Sequence, residues 1–293
     1  MIEKIIKLEN SIGINVKYSL DHEDTILFLH FSGGTLQMWD GVLPIFTEKY
    51  SVIAPDLRGQ GKSDKPLTGY HIDDMANDMY LLLKELNIKQ CHVIGSSLGA
   101  EVAISLAASH PDMVTSIICE GAIYNEFGEY GLFNGSVEEI NQEKEKLRPQ
   151  INNRKLPICN SESEYIEEVK KSFVQSGLWS DHILNYIKST MTQSEDGYYT
   201  NGYPNYVRTE YISKYWELRF EDYYKKVTCP VLFLPSQDES ENEKIKNSLD
   251  YFASLLDSYE IKYIKGSYHA YVWFQYPKEA GEIALEFIDG VSQ

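Results

Sequence analysis

A serine hydroxyl attacks an acyl carbon only when neighbouring groups take its proton and hold the charge it creates, so the serine to look for is one with those neighbours. Cys91-His92-Val93-Ile94-Gly95-Ser96-Ser97-Leu98-Gly99-Ala100 is an apolar run that ends in Gly-x-Ser-x-Gly and passes into an alanine-rich helical pattern. This is the pattern of a nucleophile elbow, a sharp strand-to-helix turn that leaves the central serine Oγ exposed. Ser97 is that central residue, and Gly95 and Gly99 give strand and helix room to approach. A helix beginning at Leu98 turns its free N–H groups and the positive end of its dipole toward developing negative charge. The motif alone arises by chance in about one chain in ten of this length, so its setting must carry the reading.

Acyl transfer by a serine requires a general base, a group that orients the base, and donors for the oxyanion. Of seven histidines, only His269, in Gly266-Ser267-Tyr268-His269-Ala270, follows the last strand-like run, where a loop can carry it over a sheet edge. It is the expected base. His22 and His182 read as exposed, His71 opens a helix, His92 and His110 border elements, and His30 reads as a hydrogen-bonded turn residue. For the orienting acid, Asp238 in Pro235-Ser236-Gln237-Asp238 is the first choice and Glu120 the second, while Glu239 and Glu241 read as solvated loop or helix N-terminal charges. The oxyanion donors are expected from the backbone of Leu98 and of Ser32, the latter in the turn Ser32-Gly33-Gly34-Thr35.

Two other chemistries lack support. Gly61-Lys62-Ser63 imitates the end of a phosphate-binding loop, but the glycine needed five residues before Gly61 is Asp56. No His-Glu-x-x-His and no clustered Cys/His spacing suggests a metal, so a cofactor-free reaction is expected.

The elements that must position these residues alternate between strand and helix. Ile5 to Leu8 and Ile12 to Tyr18 predict a hairpin, with Asn10 to Gly13 as its turn. Thr25 to Phe31 and Ser51 to Pro55 are continuous apolar runs suited to buried parallel strands, separated by a helical pattern through Trp39, Val42, Leu43 and Phe46. An amphipathic helix from Ile72 to Leu86 leads into the elbow strand, a helix from Gly99 to Ser109 stops at His110-Pro111, and Val114 to Cys119 is the next strand. From about Ala122 to Thr228 the alternation gives way to charged helical patterns at Val137 to Leu147 and after Ser161, whose spacing to Glu164 is a capping-box signature. The strand signal returns at Cys229 to Leu234, followed by a helix (Ile245 to Leu256), a strand (Glu260 to Ile264) and a closing helix (Lys278 to Ile288). The expectation is a largely parallel α/β sheet built from residues 1–121 and 229–293, with 122–228 inserted as a mainly helical cap.

Length and charge bound the rest. The 293 residues, 43% hydrophobic and 24% charged, suffice for one large α/β domain with an insertion. A net charge of −17 repels nucleic acid and anionic membrane surfaces, leaving a small-molecule substrate as the expected partner. No run approaches the about 20 apolar residues of a membrane span, and a cytoplasmic location is the default expectation. Cys91, Cys119, Cys159 and Cys229 lack Cys-x-x-Cys spacing, and free thiols are expected.

Taken together, Leu29-His30 with Gly33-Gly34 and Trp39, Asp56-Leu57-Arg58-Gly59-Gln60-Gly61-Lys62-Ser63, the elbow, Asp238 and His269 occur in an order that resembles the α/β-hydrolase superfamily, in its capped, esterase-like branch. The resemblance covers nearly the whole chain outside the cap. It implies a serine hydrolase cleaving a small, partly apolar ester or related acyl bond through an acyl-enzyme, with the Asp56–Ser63 block as a structural turn. Serine at position 97, rather than aspartate, argues against the branches that use a carboxylate nucleophile. The chain departs from the family pattern at Phe31, Pro235 and Tyr268, and Phe31 and Tyr268 are expected to border the substrate. Twelve of the 22 tyrosines fall between Tyr124 and Tyr224, which suits either an aromatic substrate cover or plain packing. A lactonase, a carbon–carbon bond hydrolase, an aminopeptidase and a ligand-binding protein on the same fold remain alternative readings.

Overall fold

Apolar runs buried on both faces need layers of helices on each side, and that is how this chain folds. The computed structural model describes residues 1–121 and 123–291. The strands in chain order are β1 (Ile2–Lys7), β2 (Gly13–Ser19), β3 (Thr25–Leu29), β4 (Ser51–Pro55), β5 (Cys91–Ser96), β6 (Val114–Glu120), β7 (Met191–Gln193), β8 (Tyr199–Asn201), β9 (Val231–Leu234) and β10 (Tyr259–Ile261). Eight of them form one sheet in the order β1-β2-β4-β3-β5-β6-β9-β10, with β7 and β8 pairing apart from it. The β1–β2 and β2–β4 pairs are antiparallel and all others in the large sheet are parallel.

Side chains alternate between the two faces. Leu27, Leu29, Ile53 and Val93 join one buried cluster with helices Ile72–Glu85 and Leu98–Ser109, whereas Ile26, Phe28, Val52 and Ile94 join another with helix Pro277–Val291. The strand order reverses between β3 and β5, because the chain steps from β3 outward to β4 and then crosses to β3's other side. Open α/β sheets bind ligands at such a switch point, beyond the strands' carboxyl ends.

Local chemistry explains where elements depart from the expected ranges. The strand expected through Phe31 stops at Leu29, since a turn closed by Gly34 N–H donating to the Phe31 carbonyl (2.9 Å) follows. The helical pattern through Trp39 and Phe46 is split into a 3-10 turn, Leu36–Trp39, and a single α turn, Leu43–Phe46, with Gly41 and Pro44 at the break. Between β6 and β9 lie helices Val137–Asn152, Glu162–Gln175, Asp181–Thr190 and Asn205–Tyr215 and the β7–β8 hairpin. The expected start of this insertion, Ala122, lies outside the described residues. All four cysteines are buried and free.

The Asp56–Ser63 block is a structural turn in its contacts. The Asp56 carboxylate accepts from Leu36 N–H (2.7 Å), Lys62 N–H (2.9 Å) and the Asn15 amide (2.9 Å). Arg58 forks onto Asp78 through Nε and Nη2, each 2.5 Å from a carboxylate oxygen, and the Asp78 side chain is fully buried. Asp78→Ala strands the guanidinium without its counter-charge, and a loss of about 3–5 kcal/mol in urea unfolding is expected. A Cβ at Gly99 would lie 2.1 Å from the Leu29 carbonyl oxygen, where only backbone can yield. Gly99→Ala is therefore expected to lower stability by about 3 kcal/mol or more, read as a shift of the same unfolding midpoint.

Candidate active site

Ser97 stands between β5 and helix Leu98–Ser109 with φ +49° and ψ −116°, a conformation side chains rarely adopt. The turn is held by Ser97 N–H donating to the Glu120 carbonyl (2.8 Å) and by the Ser97 carbonyl accepting from Ala100 and Glu101. A Cβ at Gly95 would come within 2.5 Å of the Gly99 carbonyl group and the Ala100 nitrogen, so glycine is required for so close an approach of strand and helix.

His269 approaches from the loop after β10. Its Nε2 lies 3.2 Å from Ser97 Oγ, and its Nδ1 lies 2.9 Å from Oε1 of Glu239. The Glu239 contact is at ion-pair distance but off the ideal N–H···O line, as is common for such pairs before substrate binds. A proton on Nδ1 leaves Nε2 free to accept from Ser97. The acid beside His269 is thus Glu239 and not Asp238, whose side chain is exposed and makes no hydrogen bond to the imidazole. The reason is local: Ser236 caps the short helix Gln237–Glu241, and Glu239, its third residue, accepts through Oε2 from Ser236 N–H (2.9 Å) and Oγ (2.8 Å). That capping box buries Glu239 and turns its other oxygen to His269, while Asp238 on the same turn faces water.

Glu120, the second choice, sits beneath the site as a clamp. Its Oε1 accepts from Ala270 N–H (2.9 Å) and its Oε2 from Ser96 Oγ, tying the His269 loop to the elbow. Ala270, immediately after the histidine, has φ +65°, and a Cβ on Gly121 would lie 2.9 Å from His269 Cε1. Burial pushes the Glu120 carboxyl up to about 7, against the pull of His269's charge and its hydrogen bonds. Burial alone would lower the His269 pKa, but Glu239, then Glu120 and Asp238, outweigh it and raise it to about 9.

The turn after β3 carries the other half of the site. His30 is buried, with Nδ1 2.8 Å from the Phe31 carbonyl and Nε2 accepting from Leu57 N–H (2.9 Å), so the neutral ring fastens this turn to the Asp56 loop. Ser32 borders the cavity in front of Ser97, its Oγ 2.9 Å from the Tyr203 hydroxyl. Among the described residues neither Ser32 N–H nor Leu98 N–H donates a hydrogen bond, which leaves both available. Two expectations need correction. Phe31 packs into an aromatic cluster with Tyr186, Tyr271 and Phe274 instead of bordering the Ser97 cavity. Tyr268 is 51% exposed and does not line it, its N–H held by Gln275 (2.8 Å).

The cavity has a volume of about 580 Å³ and includes Ser97, His269 and Ser32. Much of its wall comes from the segment between β6 and β9, including Tyr124, Tyr211, Tyr215 and Trp216, whereas Tyr198 and Tyr206 are exposed. Among the wall residues without a sequence assignment is Glu101, four residues after Ser97, so one turn further along the same helix face. Its two oxygens accept from the Tyr211 hydroxyl at 3.0 and 2.9 Å. Burial pushes its carboxyl up to about 7, opposed by the Tyr211 bond and by His269.

Known proteins share this architecture. The family model described as "alpha/beta hydrolase fold" matches residues 24–152. The solved structure of E-2-(acetamidomethylene)succinate hydrolase superposes with a TM-score of 0.76 at 20% identity, covering 98% of this chain and 99% of that one. With the sheet order and elbow described above, the chain has the α/β-hydrolase fold. An uncharacterised protein of Mycobacterium tuberculosis is 39% identical over 97 residues, which are 33% of this chain and 28% of that protein. The 2-(acetamidomethylene)succinate hydrolase of Mesorhizobium japonicum is 34% identical over 93 residues, 32% of this chain and 34% of the enzyme. The matched part thus spans about a third of the length of such relatives. No helix among the described residues is long and apolar enough to cross a membrane.

Proposed function

We propose that this chain is a cofactor-free serine hydrolase that cleaves a small ester or related acyl bond. The observation that carries the reading is the relay from Ser97 Oγ through His269 to Glu239, at 3.2 and 2.9 Å, on a serine held at φ +49°. In this reading Ser97 Oγ attacks the carbonyl carbon as its proton passes to His269 Nε2, and the N–H groups of Ser32 and Leu98 receive the oxyanion. The tetrahedral adduct collapses by breaking the bond to the leaving group, which takes the proton from Nε2. Water then gives its proton to His269, attacks the acyl carbon and releases the acid, restoring Ser97. Glu239 takes the orienting role first assigned to Asp238, and it acts by fixing the tautomer and holding the imidazolium.

The segment from 122 to 228 is proposed as a lid, because its side chains form much of the cavity wall in front of Ser97. The named relative acts on 2-(acetamidomethylene)succinate. Here Glu101 and Glu126 border the cavity, which supports a substrate without that carboxylate character. The test is hydrolysis of p-nitrophenyl esters from acetate to decanoate, with intact mass after a fluorophosphonate probe. Turnover together with one adduct on Ser97 is the expected result. No turnover and no adduct would overturn the reading in favour of a ligand-binding protein.

A further inference from the structure

Buried carboxylates in folded proteins are neutralised by a basic partner, a metal or a proton, because burying a bare charge is costly. Glu101 has neither base nor metal, and burial pushes its carboxyl up to about 7, where a cation would hold it ionised. Its side chain is buried, the residue being 6% exposed, and its hydrogen-bond partner is the neutral Tyr211 hydroxyl. Among the described residues it forms no ion pair, and neither does Glu126, half-buried on the same cavity wall. The guanidinium that reaches this cavity, Arg208, donates to the Ile151 carbonyl (3.3 Å) and forms no ion pair with either acid. The positive group whose charge bears on Glu101 is then the imidazolium of His269.

The surroundings of Glu101 suit a cation better than any other guest. Tyr211 and Tyr215 line the same cavity as Ser97, with Trp216 and Tyr124 beside them, and aromatic faces attract ammonium groups. Tyr211 is held protonated by burial and by Glu101, so its hydroxyl stays a donor to the carboxylate and its ring stays neutral. Ser97 and Glu101 are joined by one helical hydrogen bond, Glu101 N–H to the Ser97 carbonyl (3.1 Å). Side chains so spaced lie about 6 Å apart at Cβ, which sets the distance from scissile carbonyl to cation at a few bonds.

Resting on the serine-hydrolase reading, we infer that Glu101 is a specificity-determining residue and that the substrate carries an ammonium group a few bonds from the scissile carbonyl. Glu101 receives that cation against the walls of Tyr211, Tyr215 and Trp216. The ammonium supplies the counter-charge that the protein leaves out, and an anionic substrate meets repulsion from Glu101 and Glu126 at once.

Shape-matched pairs that differ in charge test this. The p-nitrophenyl ester of 4-(trimethylammonio)butyrate is compared with that of 5,5-dimethylhexanoate, its neutral isostere, and butyrylcholine with 3,3-dimethylbutyl butyrate, so that the charge is placed in either half of the ester. In at least one pair the cation is expected to be favoured at least tenfold in kcat/KM. That ratio is expected to fall toward one in Glu101→Gln and to survive, reduced, in Tyr211→Phe, which keeps the carboxylate and the ring. A ratio near one in the wild type, or one unchanged in Glu101→Gln, would overturn the inference while leaving the hydrolase reading intact. Calorimetric titration with choline and with 3,3-dimethylbutan-1-ol measures the subsite without any turnover. Saturable binding of choline alone, lost in Glu101→Gln, supports the subsite even if no ester is cleaved and the hydrolase reading fails; equal or absent binding of both alcohols overturns it.

Discussion

Ser97→Ala is expected to lower ester turnover by about a hundred-thousandfold and to abolish labelling by a fluorophosphonate, with the fold unchanged. The magnitude follows from removing the nucleophile itself: the oxyanion donors and the cavity remain, but no covalent step is left for them to assist. What survives is the modest acceleration that binding and oxyanion stabilisation give to water. Little stability change should accompany the loss of activity. Ser97 sits at φ +49° with its side chain forced to the front of the turn, so the strain lies in the backbone and alanine inherits it. The thermal midpoint is accordingly expected to move little, and a large fall in midpoint would mean that Ser97 Oγ is structural. Intact mass after probe treatment separates the two: an adduct that persists in Ser97→Ala places the nucleophile elsewhere.

Much of this arrangement was legible in the sequence because it rests on short-range rules. The apolar runs at Thr25, Ser51, Cys91 and Val114 could be nothing but buried strands, and the parallel order follows from the helices between them. The elbow was legible because both Gly95 and Gly99 answer to steric demands that any side chain would violate. What failed to show was direction. Phe31 and Tyr268 each adjoin a site residue in sequence, yet neighbours along an extended or looping chain point opposite ways, and neither side chain lines the cavity. Glu101 went unread for the complementary reason. A glutamate in a helix usually faces water, and only the i, i+4 spacing to Ser97 signals that it shares the serine's face.

The choice between Asp238 and Glu239 turned on the same kind of signal. Ser236-Gln237-Asp238-Glu239 is a Ser-x-x-Glu capping box, legible without coordinates, and such a box draws its glutamate back over the helix start while leaving the second residue outside. Glu239→Gln is therefore expected to lower kcat by about ten-thousandfold, since an amide in place of the carboxylate can hold the wrong tautomer and cannot balance the imidazolium. Asp238→Asn, exposed and without a hydrogen bond to the ring, is expected to stay within about threefold of wild type. The pH profile carries an independent signature. The base works as the neutral imidazole, and His269 is raised to about 9 chiefly because the carboxylates around it outweigh its burial, so kcat/KM of the wild type climbs with pH until about 9. Removing the Glu239 charge takes away stabilisation of the protonated ring, so the midpoint in Glu239→Gln must move down, toward the ordinary histidine value near about 6.5. The same sign governs stability: the His269–Glu239 pair contributes fully below the unfolded pKa and loses its contribution as pH rises through about 9. If instead Asp238→Asn shifts the midpoint and Glu239→Gln does not, the orienting carboxylate is Asp238, because the pH profile of kcat/KM reports the free enzyme.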